Sequence, residues 1–98
     1  MTETQYKLSK IMQEAGELIQ EASKAQLFGL DDVNPKTGET NQEAIKREFY
    51  DLLFAIYLLR IEGLEWVEDA FDNYEALIHR AIKHDQWVEY SKERGMTR

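Results

Sequence analysis

Phe49-Tyr50-Asp51-Leu52-Leu53-Phe54-Ala55-Ile56-Tyr57-Leu58-Leu59-Arg60-Ile61 is apolar nearly all the way round a helix, with charge only at Asp51 and Arg60. A helix that is apolar on every face has to be surrounded. Thr40 and Glu43 have the spacing of a capping box, which predicts a start at Thr40 or Asn41, and Gly63 is the natural stop near Glu62. One short chain supplies too few partner helices to cover such a segment, so this stretch predicts a homo-oligomeric bundle.

The flanking sequence is helical as well. From about Gln5 to Leu27 the apolar residues recur as Leu8, Ile11, Met12, Ala15, Leu18, Ile19, Ala22 and Ala25, with no strand alternation. Gly29 is placed to end that helix. Residues 30–40 hold the chain's one proline and read as a connecting loop. A third helix is predicted from about Trp66 to Lys83, on Val67, Ala70, Phe71, Tyr74, Leu77, Ile78, Ala81 and Ile82. The segment from Asp85 to Arg94, with Trp87, Val88 and Tyr90, reads as a short fourth. The fold class is all-α, three to four helices in a single domain over residues 1–98.

Composition narrows the chemistry. The chain is 43% hydrophobic and 32% charged, ordinary for a folded domain. It has no cysteine, which removes disulfides, thiolate metal sites and cysteine nucleophiles. Its N-terminus has neither the basic start nor the apolar stretch of a signal peptide, and Leu52 to Leu59 is far short of the roughly 20 residues that span a bilayer. The expectation is a cytoplasmic protein with no membrane partner. A net charge of -7 argues against nucleic acid as partner, but not against a nucleotide, because a bound cation reverses the local sign.

Two acidic pairs carry the chemical signal. Glu14-Ala-Gly-Glu17 and Glu48-Phe-Tyr-Asp51 each put two carboxylates on one helix face, and Glu21 continues the first line by a turn. If the two helices pack antiparallel, the pairs can converge, and four carboxylates with positions left for water suit Mg²⁺ or Mn²⁺. A Glu-x-x-Glu on a helix is most often only a solvated face. Asp51 is harder to read that way: it is a poor helix former inside an apolar run, unless Lys7, Lys46 or Arg47 pairs with it. Other chemistries have less support. His79 and His84 do not follow a glutamate by three residues, as carboxylate-bridged di-iron bundles require. No phosphate-binding glycine loop or nucleophile elbow is present, and Ser9, Ser23 and Ser91 have no base partner nearby in sequence. The aromatics Phe28, Tyr57, Trp66, Tyr74 and Trp87 are candidates for stacking on a base, although helical spacing more commonly means core. Lys83, Lys92 and Arg94 form a basic cluster able to meet a polyphosphate, or simply a helix end that favours positive charge.

At Glu14-Ala-Gly-Glu17-Leu-Ile and Arg47-Glu48-Phe-Tyr-Asp51-Leu-Leu the chain resembles the MazG-like all-α nucleoside triphosphate pyrophosphohydrolases, which are related to the dimeric dUTPases and the phosphoribosyl-ATP pyrophosphohydrolases. The resemblance covers roughly residues 8–62. It departs from the family in the thirty residues between Glu17 and Glu48, in Gln13 where many members carry another glutamate, and in Tyr50 where a smaller residue is usual. The loop and Gln13 bear on substrate choice more than on the metal site.

The resemblance implies hydrolysis of a nucleoside triphosphate, a dNTP above all, to the monophosphate and pyrophosphate, as nucleotide-pool house-cleaning by a homodimer or dimer of dimers. It implies Mg²⁺, or Mn²⁺, at Glu14, Glu17, Glu48 and Asp51, with Glu17 or Glu21 taking the proton of the attacking water. Lys46, Gln13, Lys83 and Arg94 are the residues expected to meet substrate. The competing expectation is a non-catalytic helical interaction protein whose acidic pairs are surface residues.

Overall fold

The computed structural model describes residues 1–97, and among them the chain is all-α, with α1 (Glu3–Phe28), α2 (Asn41–Tyr57), a 3₁₀ segment (Leu58–Glu62), α3 (Trp66–Asp72) and α4 (Tyr74–Glu93). No helix among them is long and apolar enough to cross a membrane. The chain divides into two units, Met1–Val67 and Glu68–Arg98.

Local chemistry sets the ends of the elements. Both long helices of the first unit start with a complete capping box, Thr2 with Gln5 on α1 and Thr40 with Glu43 on α2. The Thr40 hydroxyl accepts from the Glu43 N–H at 3.2 Å, which satisfies one of the amides left open at a helix start. Thr40→Ala is expected to cost about 1 kcal/mol. A thermal melt should register that as a fall of about 4–8 °C. The second helix keeps α geometry only to Tyr57, and its last turn tightens to 3₁₀ before Gly63. At φ 82° Gly63 occupies a left-handed conformation that a side chain would strain.

The third predicted helix is interrupted. Asn73 ends α3 and caps α4, its side-chain oxygen accepting from the Ala76 N–H at 3.0 Å. Beyond it α4 runs unbroken to Glu93, so the predicted separate tail helix is the continuation of α4. Asparagine's short acceptor competes well with the helical ladder at such a point, and apolar periodicity is blind to it.

Within the first unit α1 and α2 form an antiparallel hairpin. At its closed end the buried Asn41 donates Nδ2–H to the Gly29 carbonyl at 2.8 Å, and the N–H groups of Asn41 and Gln42 reach the Asp32 and Leu30 carbonyls, each at 3.0 Å. At the other end Glu62 accepts from Thr4 Oγ1 at 2.8 Å and from Lys7 Nζ at 2.5 Å. Those two donors, Lys7 foremost, hold the Glu62 carboxyl below its ordinary pKa.

Buried apolar residues among those described are Ala44, Ala55, Leu59 and Val67. Phe49, Tyr50, Phe54, Tyr57 and Ile61 of the apolar run are exposed, as are Met12 and Ile19 on α1.

Candidate metal centre

The stripe that α1 turns toward α2 carries acids where a packing face ordinarily carries aliphatics. Its buried and half-buried residues include Lys7, Ile11, Glu14, Leu18, Glu21 and Ala25, and the facing stripe includes Asn41, Ala44, Glu48 and Ala55 on α2 and Leu59 in the 3₁₀ segment. The alanines keep the two backbones near one another, and Glu48 therefore enters the helix pair instead of reaching water. Glu14 and Glu48 are each only 6% exposed. One carboxylate oxygen from each of Glu14, Glu17 and Glu48 lies within 4.8 Å of the other two.

Burying carboxylates costs several kcal/mol per ion unless their charge is met. Lys10 Nζ donates to Glu14 Oε1 at 3.1 Å, and Arg47 Nη1 donates to Glu48 Oε1 at 2.5 Å. The remaining oxygens, Glu14 Oε2 and Glu48 Oε2, are buried without any hydrogen-bond partner. Glu17 has no cation among the described residues. The neighbouring carboxylate of Glu14, and after it that of Glu48, raises the Glu17 pKa above its ordinary value. Glu14 likewise raises the Lys10 pKa. Three carboxylates are thus met by two side-chain cations, with two buried oxygens left over. This donor set suits a hard divalent cation, which would take up both orphaned oxygens.

The remaining predicted residues lie elsewhere. Asp51 is one turn beyond Glu48, exposed and outside the three-carboxylate group. Neither Lys7, Lys46 nor Arg47 forms a salt bridge with it; its charge acts instead on Lys10. Glu21, one turn beyond Glu17, is also outside the group and accepts from Lys24 Nζ at 3.3 Å. Gln13 and Lys46 are exposed on α1 and α2. Lys83 and Arg94 are on α4 of the second unit, where Lys83 lines a shallow groove with Gln86, Trp87 and Tyr90, and Arg94 lies 4.9 Å from the centre of the Tyr90 ring.

A cavity of about 350 Å³ opens between the end of α1, the loop and the start of α2. Its walls include Glu21, Lys24, Phe28, Asp32, Asn34, Glu39, Asn41 and Arg47. Hydrogen bonds within the loop shape one side: Asn34 Oδ1 accepts from the Lys36 N–H at 2.9 Å, the Gly38 N–H reaches the Asn34 carbonyl at 2.8 Å, and the Asn34 N–H reaches that of Glu39 at 2.9 Å.

Arg47 joins this cavity to the carboxylates. Its Nε and Nη2 hold the two oxygens of Glu39 in a fork, each at 3.1 Å, while Nη1 holds Glu48. Glu39 chiefly, and Glu48 after it, hold the guanidinium above its ordinary pKa, and Arg47 in turn lowers that of Glu39. Sequence reasoning missed this role, because Arg47 and Glu39 meet only once the loop has folded back. The four-residue spacing of Lys10 and Glu14, by contrast, was visible in the sequence. Comparison of the chain with family models, with curated proteins and with solved structures finds no match.

Proposed function

We propose that this chain is a Mg²⁺-dependent pyrophosphohydrolase of nucleoside triphosphates, dNTPs foremost, of the MazG-like kind that its acidic pairs resemble. The observation that carries the reading is the convergence of Glu14, Glu17 and Glu48 with two buried, unpartnered carboxylate oxygens. A cluster that served only as a solvated face would leave those oxygens to water.

In this reading Glu14, Glu17 and Glu48 hold the ion, and Asp51 joins them by a change of rotamer from the rim. When bound, the ion offsets phosphate charge and makes an adjacent water more acidic. Glu17 takes the proton from the water that attacks the α-phosphorus. Glu21 lies at the wall of the cavity, and its tie to Lys24 suits it to shaping the substrate side. The cavity receives the nucleoside, with Phe28 offering a ring face and Asp32, Asn34 and Asn41 polar groups. Its size falls within the roughly 300–1,000 Å³ usual for small-molecule sites.

Self-association belongs to the same reading. Phe49, Tyr50 and Phe54 on α2, Ile61 just beyond it, and Met12 and Ile19 on α1 are large apolar side chains left exposed, the kind of surface that marks an interaction site. A second copy supplies the surroundings that an all-round apolar helix requires. The role that goes with the resemblance is cytoplasmic house-cleaning of the nucleotide pool.

The test is pyrophosphate release from a panel of canonical and modified dNTPs and NTPs, in Mg²⁺ and in chelator. Release that requires the metal is the expected outcome, and the panel ranks the substrates. No release from any nucleotide, together with a melting temperature indifferent to Mg²⁺, would sink the enzyme reading in favour of a helical interaction protein.

A further inference from the structure

We propose that Arg47 is a phosphate-binding side chain held in reserve, released from Glu48 toward the cavity when Glu48 turns its carboxylate to a divalent cation. This rests on the reading of Glu14, Glu17 and Glu48 as a cation site.

The geometry supplies each part. A guanidinium has five N–H donors in a rigid plane. Three of those on Arg47 are engaged, two by Glu39 and one by Glu48. The Glu39 fork fixes the plane, so losing Glu48 frees Nη1 without setting the side chain loose. The side chain is half exposed and lines the cavity, so the freed donor faces space that a ligand can enter.

Electrostatics makes the release conditional. Glu21, Asp32 and Glu39 surround the cavity alongside Lys24 and Arg47, and Lys24 is already paired with Glu21. An anion arriving alone meets a net negative wall and an arginine already committed to two carboxylates. Once Glu48 has a cation to bind, the local sign reverses and the guanidinium has charge to spare. Cation and phosphate therefore bind cooperatively, and Arg47 carries the coupling. Arg47 also competes with the cation for the charge of the Glu48 carboxylate, so its two effects have opposite signs.

The experiment is calorimetry on the full chain with two probes, Mg²⁺ alone and the magnesium complex of pyrophosphate, for wild type, Arg47→Gln and Arg47→Lys. Arg47→Gln is expected to bind Mg²⁺ at least as tightly as wild type, yet bind the pyrophosphate complex about 10- to 100-fold more weakly, the usual worth of a hydrogen bond to a charged group. Arg47→Lys keeps the charge without the fork and is expected to fall between the two, so the test survives a Gln variant that fails to fold. Unchanged pyrophosphate affinity in both variants, with Mg²⁺ still bound, would overturn the role of Arg47 and leave the cation site standing. A parallel loss of both ligands would make Arg47 merely structural and overturn the proposal. Wild-type protein that binds no Mg²⁺ would remove the cation reading first and this proposal with it.

Discussion

In chelator at neutral pH the Glu17→Gln protein melts above wild type, and it gains nothing when Mg²⁺ is added. Both halves of this expected result come from the same three carboxylates. Without a cation, Glu17 lies beside the carboxylates of Glu14 and Glu48, and their charge is what raises its pKa. A group whose folded-state pKa exceeds its unfolded one contributes stability that is complete below the unfolded value, here 4.5, and is lost as pH rises through the folded value. Wild type in chelator should therefore lose stability with rising pH above 4.5, as Glu17 ionises among its neighbours. A glutamine there carries no charge to ionise, so it escapes repulsion from Glu14 and Glu48 at every pH. Glu39 and Glu62, whose pKa values are lowered, act in the separate window below 4.5, where their stability is lost as pH falls. A pH series of melting curves for the two proteins isolates the Glu17 contribution as their difference. Identical pH dependence in the two would show that its neighbours do not raise the Glu17 pKa.

Glu48→Gln and Asp51→Asn are expected to separate sharply, although the sequence presents the two acids as one pair. Glu48 is buried, contributes to the three-carboxylate group and has an oxygen that no protein donor satisfies. Its loss removes a ligand from the centre and should reduce Mg²⁺-dependent pyrophosphate release by about a thousandfold, in line with the several kcal/mol of transition-state stabilisation that a catalytic ion supplies. It should also abolish the rise in melting temperature with Mg²⁺. For wild type at a hundred times the dissociation constant that stabilisation is about 2.7 kcal/mol, a shift on the order of 10 °C. Asp51 is exposed, and its charge acts from the rim, so the amide there should weaken Mg²⁺ binding by no more than about tenfold. Equal losses from the two variants would mean that the fourth acid is as fully engaged as the third, and that assembly changes its surroundings.

How much of this was legible in the sequence depended on the range of the interaction. The capping box at Thr40, the stop at Gly63 and the helical character of the apolar run follow from contacts within a few residues, and all are observed. The break at Asn73 depends on one side-chain acceptor, which a periodicity argument does not weigh. The face of α1 was read from its aliphatics. Leu8, Met12 and Ile19 are nevertheless exposed, and the line turned to α2 runs through Lys7, Ile11, Glu14, Leu18, Glu21 and Ala25. Glu14, Glu21 and Glu48 displace aliphatics from the packing stripe, which is where function is expected to override patterning, whereas Asp51, the acid hardest to read from sequence, is exposed. Convergence of the two acidic pairs was expected on condition that the helices pack antiparallel, and the hairpin brings Glu14, Glu17 and Glu48 together. The exposure of Asp51, and the bridge from Glu39 through Arg47 to Glu48, emerge only from the folded chain.

The closure of the hairpin at both ends has a bearing on how tightly an ion can be held. Glu62 clips the α1 start through Thr4 and Lys7, and Asn41 ties the α2 start to the end of α1. Glu14 lies two turns from the first clip, about 10 Å along the axis. Neither strand of the hairpin can swing away from the other without undoing a fastening. The carboxylates of α1 therefore meet that of α2 at a high effective concentration set by the fastenings, and little ordering remains to be done when a ligand arrives. In the proposed metal reading, chelation strength would be in part a property of Thr4, Lys7, Asn41 and Glu62, none of which offers the ion a donor atom.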